Sequence, residues 1–232
     1  MYLHVKEEMA AAGSIPVLWV LPEAEAKDKV IIYYHGWGSD VESSRFRASI
    51  WAAADYPVLV VEEALHGARG SWDYEDIKKL PEVVIENMKE FDAILACVRA
   101  RFPEKKILVA GHSMGGMTAM GLLARDEVAG VLALNGLGDW TPLAIAPYKE
   151  AAQAYDPMNH IEKHEDKGIC MLNGELDDVV NPAYQKNYYE KIKKQHRGDA
   201  PLVFEIIEGT SHVVTTNMMA MTLEFLAKLS EV

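Results

Sequence analysis

The stretch Ile107-Leu108-Val109-Ala110-Gly111-His112-Ser113-Met114-Gly115-Gly116 decides how this chain folds. Its first four residues form an unbroken apolar run of the kind that suits a strand buried on both faces. A G-x-S-x-G sequence follows, and the small-residue segment Met114 to Ala124 then reads as a helix. A strand that turns abruptly into a helix at a serine is the setting in which this motif carries chemistry. The flanking glycines remove Cβ atoms that would collide with neighbouring backbone, so a strained turn can hold the Ser113 hydroxyl above the sheet edge. A phosphate-binding loop would need a Lys-Ser/Thr ending, which is missing. Ser113 is the candidate nucleophile.

Working outward, apolar runs recur at Ile15 to Leu21, Val30 to Tyr34, Pro57 to Val61, Val128 to Leu134, Ile169 to Leu172 and Leu202 to Ile207. Between them lie segments of helical period. Glu42 to Ala54 places Phe46, Ile50 and Ala53 on one stripe, and a helix opened by Pro81 carries Val84, Met88, Phe91, Leu95 and Val98. Helices over Pro182 to Gln195 and Thr215 to Leu229 complete the alternation. Such alternation predicts an α/β fold with a mostly parallel sheet of about eight strands, helices on both faces and right-handed crossovers. The chain reads as one domain over 1–232. The poorly patterned segment 136–168 is too long for an ordinary connection and is expected to be an inserted helical flap over the site.

A serine hydroxyl needs a base within hydrogen-bond reach, and the base needs a carboxylate to fix its tautomer. In this strand-turn-helix context the chain order is serine, acid, histidine. His160, His164, His196 and His212 follow the serine, and only His212 stands after the last strand and just before the final helix. His160 and His164 are four apart but read as a solvated face. For the acid, Asp177 is favoured in the loop after Ile169 to Leu172, with Val180 packing behind it; Asp178 and Asp139 are the alternatives. The backbone amides of Met114 and Trp37 are the expected oxyanion donors. His35 and His66 are expected to hold their loops together by hydrogen bonds. Trp140, Tyr148 and Trp72, with Trp37 and the Met218-Met219 pair, are the candidate pocket walls.

Composition narrows the partners. Lys and Arg number 23 against 35 Asp and Glu, a formal charge of −12 that repels nucleic-acid phosphates and anionic membranes. With Asp177, Asp178, Glu175 and Asp139 expected near one edge, strongly anionic substrates should be poor. Cys97 and Cys170 have no metal-binding spacing and read as reduced core residues. The apolar segment Met9 to Leu21 imitates a leader. Glu7 and Glu8 stand where a basic region should be, and Gly13, Ser14 and Pro16 interrupt it, so a cytoplasmic protein is expected.

Taken together, His35-Gly36-Trp37-Gly38, Gly111 to Gly116, Asp177 and Gly209-Thr210-Ser211-His212 resemble the α/β-hydrolase superfamily over nearly the whole chain. Within it, Glu63 to Gly70 and the short flap look like the small bacterial predicted esterases related to dienelactone hydrolases and to the non-propeller part of prolyl oligopeptidases. Dienelactone hydrolases carry a cysteine where this chain has Ser113, so their particular reaction is not implied. The resemblance implies acyl transfer to water on a small or medium neutral ester, with no cofactor and no metal. The partner is a small-molecule ester, with no nucleic acid and no membrane; a homodimer is left open. A thioesterase, a sugar deacetylase, a small peptidase and a non-catalytic ligand receptor on the same scaffold are the alternatives.

Overall fold

In the computed structural model, residues 3–229 are described; the first two and last three residues of the expected 1–232 domain lie outside them. Eight strands form one sheet: β1 (Val5–Ala12), β2 (Ile15–Pro22), β3 (Lys29–Tyr34), β4 (Val58–Val61), β5 (Lys106–His112), β6 (Val128–Leu134), β7 (Gly168–Gly174) and β8 (Leu202–Ile207). They lie in the order β1-β2-β4-β3-β5-β6-β7-β8. Only β2 runs against the others, antiparallel to both β1 and β4, and every pairing from β4 to β8 is parallel.

The strand β1 carries no apolar run and escapes a reading by hydrophobic pattern. Its residues are mostly exposed and include Glu7 and Glu8, as suits an edge strand that must not recruit another chain. The signal that betrays it is Gly13-Ser14, a two-residue hairpin turn with Gly13 at φ 63°, joining Ala12 to its partner Ile15.

Among the described residues six α-helices cover the sheet: α1 (Val41–Ala53), α2 (Leu80–Arg101), α3 (Met114–Leu122), α4 (Lys149–Tyr155), α5 (Ala183–Ile192) and α6 (Thr216–Leu229). Alternate residues of β3 show how the sheet divides the core. Val30, Ile32 and Tyr34 face a layer built with α2, α3 and α5, whereas Ile31 and Tyr33 face one built with α1 and α6. In that second layer the Trp51 indole donates to the Thr222 hydroxyl at 2.9 Å, tying α1 to α6. The stripe of α1 differs from the expected one: Phe46 is 65% exposed, and Val41, Ala48, Trp51 and Ala52 face the sheet. Small residues beside one tryptophan fill that space, so the larger Phe46 is left outside. Met218 and Met219 also belong to this layer, which removes them from the expected pocket wall.

Candidate active site

The turn at Ser113 is built by exclusion. Ser113 has φ 57° and ψ −120°, a conformation that L residues rarely adopt, between β5 and α3. A Cβ on Gly111 would stand 2.0 Å from the Gly115 carbonyl oxygen, and one on Gly115 would stand 2.0 Å from that of Tyr34. No side chain fits at either position, so the tight turn requires both glycines. The Ser113 amide donates to Leu134 O at 2.9 Å and fastens the turn to β6.

Three side chains from three loops meet above the carboxyl ends of the strands. The Ser113 hydroxyl lies 2.8 Å from His212 Nε2, and His212 Nδ1 lies 2.7 Å from Asp177 Oδ2. Asp177 Oδ1 accepts from the amides of Val179 and Val180 at 3.0 and 2.8 Å. Those two donors hold the carboxylate in its turn, and Oδ2, as the acceptor, assigns the proton to Nδ1. His212 Nε2 is thereby left as an acceptor facing the serine.

The other carboxylates go elsewhere. Asp178 is exposed. Asp139 receives the Thr141 amide and hydroxyl on one oxygen and Asn187 on the other. Glu175 accepts from the Gly209 amide at 2.9 Å and closes the loop after β7 onto the loop after β8. Among the described residues no carboxylate lines the cavity beside Ser113, so the acidic edge expected to repel anionic substrates does not form there.

That cavity holds about 340 Å³. Trp37, Met117, Leu137, Leu143, Val180 and Tyr184 form its walls with Ser113, and Lys78 is the one charged residue on it. Ile77, Ile145 and Val179 sit at its mouth, and each is exposed; Ile77 and Val179 reach 65% and 68%. Segment 136–168 therefore contributes wall residues, but not the ones expected. Trp140 is fully buried, its indole donating to Leu137 O and its ring edge filling the space left by Gly121. Tyr148 turns to Glu82, and Trp72 to the Asp76 carbonyl. Of the expected aromatic walls only Trp37 faces the cavity.

Among the described residues the amides of Trp37 and Met114 have no protein acceptor. Gly36, which precedes Trp37, packs directly on the serine: a Cβ there would sit 3.4 Å from Ser113 Cβ. Two histidines fix this loop. His35 Nδ1 donates to Gly36 O at 3.0 Å, and His66 Nε2 accepts from the Gly38 amide at 3.0 Å.

Two residues escaped the sequence. Asn135, at φ 49° after β6, donates to Val213 O at 3.0 Å and accepts from the Gly174 amide at 2.9 Å. It joins the acid loop to the chain next to His212. His112 stacks obliquely on His212 with ring centroids 5.0 Å apart. Burial pushes its pKa down to about 3, so the neighbour of His212 stays neutral. His164, expected on a solvated face, is buried, with Nδ1 2.9 Å from the Tyr188 hydroxyl, because its segment packs against α5. Both cysteines are free, with Cys170 buried and Cys97 partly so. Among the described residues no helix is long and apolar enough to cross a membrane.

Comparison with known proteins agrees with this architecture. Residues 17–230 match the model of a family described as phospholipase/carboxylesterase. The chain is similar to Esterase YjfP of Escherichia coli (strain K12), 25% identical over 95% of this chain and 98% of that protein. Among solved structures it is similar to TT1662 from Thermus thermophilus, with a TM-score of 0.84 at 22% identity over 98% of this chain and 99% of that one. A cold-adapted esterase from an Arctic intertidal metagenomic library superposes with a TM-score of 0.72 at 17% identity, over 99% and 96% of the two chains.

Proposed function

The chain belongs to the phospholipase/carboxylesterase family of α/β-hydrolases, and on that premise we propose that Ser113, His212 and Asp177 carry out serine-esterase chemistry on small to medium neutral acyl esters. It is an ester-hydrolysing enzyme. The observation that carries the assignment of residues is the unbroken chain from Asp177 Oδ2 through the His212 ring to the Ser113 hydroxyl, at 2.7 and 2.8 Å, at the wall of an apolar cavity.

Ser113 Oγ attacks the ester carbonyl while its proton passes to His212 Nε2. Asp177 stays ionised and faces the imidazolium across the Nδ1 hydrogen bond. The carbonyl oxygen becomes an oxyanion held by the Trp37 and Met114 amides, an arrangement in which each donor contributes about 3–4 kcal/mol to the barrier reduction. His212 returns its proton to the departing alkoxide, which leaves as the alcohol. Water then attacks the acyl-enzyme by the same route and releases the acid. Each of these groups lies on this chain.

The substrate range rests on the cavity. At about 340 Å³ it stands at the small end of ligand-binding pockets, which suits a small to medium acyl group. Apart from Lys78 and Asn181 its walls are apolar, and its rim is Ile77, Ile145 and Val179, which favours uncharged acyl groups over charged ones. We read the whole chain as one hydrolase domain with 136–168 as its flap. Two free cysteines support a reducing, cytoplasmic compartment.

A fluorophosphonate probe should label the wild type and leave Ser113→Ala unlabelled, and p-nitrophenyl acetate should show an acyl-enzyme burst. Across a chain-length series kcat/KM should peak at butyrate to octanoate and fall for succinyl esters. Equal labelling of both proteins would overturn the nucleophile, and a preference for succinyl esters would overturn the substrate range.

A further inference from the structure

The oxyanion loop has an organisation that a hydrogen-bonding turn alone does not require. Two successive peptide groups are held differently: in the first, the Gly36 carbonyl is bonded to His35 Nδ1 and to the Ser39 amide while the Trp37 amide has no acceptor among the described residues, and in the second the Gly38 amide is bonded to His66 Nε2. The bond to Gly38 fixes the peptide plane that follows Trp37, and His66 can make it only through an unprotonated Nε2. Its other nitrogen, Nδ1, donates to Ala64 O at 2.8 Å, which selects that tautomer.

The ring itself is held on three sides. Tyr74 stacks on it at 4.9 Å between centroids, and Trp37 and His35 meet it edge-on at 5.1 Å. Tyr74 is tied to the same framework, since its hydroxyl donates to Leu65 O and its carbonyl accepts from the Trp37 indole. The ionisable groups facing His66 are His35 after β3, Asp40 at the cap of α1, Tyr74, and Glu62 at the end of β4. Burial is the leading influence on His66 and moves its pKa down, in the direction the geometry needs.

We propose that His66, in its neutral Nδ1–H form, is the positioning residue that presents the Trp37 amide to the oxyanion. The inference rests on the serine-esterase reading above and adds to it a second histidine whose protonation disables the site. Protonated Nε2 would turn one N–H toward another and release Gly38, so that the peptide bearing the Trp37 amide is held on one side only, by His35 and the Ser39 amide on the Gly36 carbonyl, and tilts as the following plane turns. His66 touches neither substrate nor Ser113; it acts through the loop.

His66→Ala should lower kcat about 10²-fold, the scale of losing one oxyanion donor, with KM within about threefold. His66→Gln, whose amide oxygen can accept from Gly38 and does not titrate, should recover at least tenfold of that loss. On the acid side, wild-type log(kcat/KM) should steepen from slope 1 to slope 2 at the lowest pH, while His66→Gln keeps slope 1. Thermal melts of all three proteins accompany the kinetics, and if His66→Ala does not fold, the comparison of wild type with His66→Gln decides. An unchanged kcat in His66→Ala, a loss confined to KM, or identical acid limbs in wild type and His66→Gln would overturn the proposal. Ser113→Ala tests the underlying reading separately: full activity there sinks the esterase site whatever His66 does.

Discussion

His212 and His35 both stand beside carboxylates in loops that follow strands, and they differ in what the second ring nitrogen meets. In the loop after β8, His212 has Nδ1 against Asp177 at 2.7 Å and Nε2 against a serine hydroxyl at 2.8 Å. In the loop after β3, His35 has Nε2 3.4 Å from Glu62 and 3.2 Å from the Glu63 amide, and Nδ1 on the Gly36 carbonyl. Both nitrogens of His35 are spent on structure, and the ring is fully buried. Burial favours its neutral form, but the carboxylates of Glu63 and Glu62 outweigh it and raise the pKa. The lesson is that a carboxylate neighbour alone does not make a catalytic imidazole. What the second nitrogen meets decides, and here one meets a reactive hydroxyl and the other a backbone amide.

The comparison can be broken most sharply by deleting each ring. His212→Ala should cost on the order of 10⁶-fold in kcat, the scale seen when a serine hydrolase loses its base. His35→Ala should cost about 10²-fold, because only the oxyanion loop loosens. Steady-state kinetics on one soluble ester read both, and equal losses would show that His35 is not merely a brace.

The carboxylate side sharpens it next. Asp177→Asn should lower kcat about 10⁴-fold by favouring the wrong His212 tautomer, whereas Asp178→Asn, on the exposed neighbour, should stay within about twofold. Comparable losses from the two would displace Asp177 from its position behind the base.

The smallest effect concerns the buried acid near His35. Glu63 is enclosed, and burial pushes its pKa up to about 7 from an ordinary value of 4.5. A carboxyl raised on folding binds its proton more tightly in the native state, so stability is full below about pH 4.5. It falls as pH rises through about 7, where the native carboxyl must ionise. Between pH 4.5 and 8 the wild type should lose about 3 kcal/mol relative to Glu63→Gln. Urea unfolding at both ends of the range measures it, and parallel stability curves would show that Glu63 is already ionised in the fold.

Much of the architecture is written in runs of apolar residues, because a strand buried on both faces can hardly be anything else. Val30 to Tyr34, Ile107 to Ala110 and Ile169 to Leu172 announce themselves this way, and each lies inside the sheet with a strand on either side. The edge strand β1 does not, since half of its side chains face water and its register depends on the turn at Gly13. In the site, Ser113, Asp177 and His212 were legible from motif and spacing, and they stand within hydrogen-bonding reach of one another. Asn135 was not, because a lone asparagine after a strand gives no local sign that it will join two distant loops.

The pocket separates most clearly what each level decides. By itself the sequence determined that a strand must turn at Ser113, since only glycines fit at 111 and 115, and that an acid and a histidine follow on later loops. Local sterics and chain order are properties of neighbours in sequence. Which aromatic faces the substrate is not: Trp140 went to the gap beside Gly121, and Tyr148 and Trp72 to Glu82 and the Asp76 carbonyl, while Leu143, Ile145 and Val179 became wall and rim. Large side chains settle where complementary volume and a hydrogen-bond partner are available, and that space exists only once distant segments have packed.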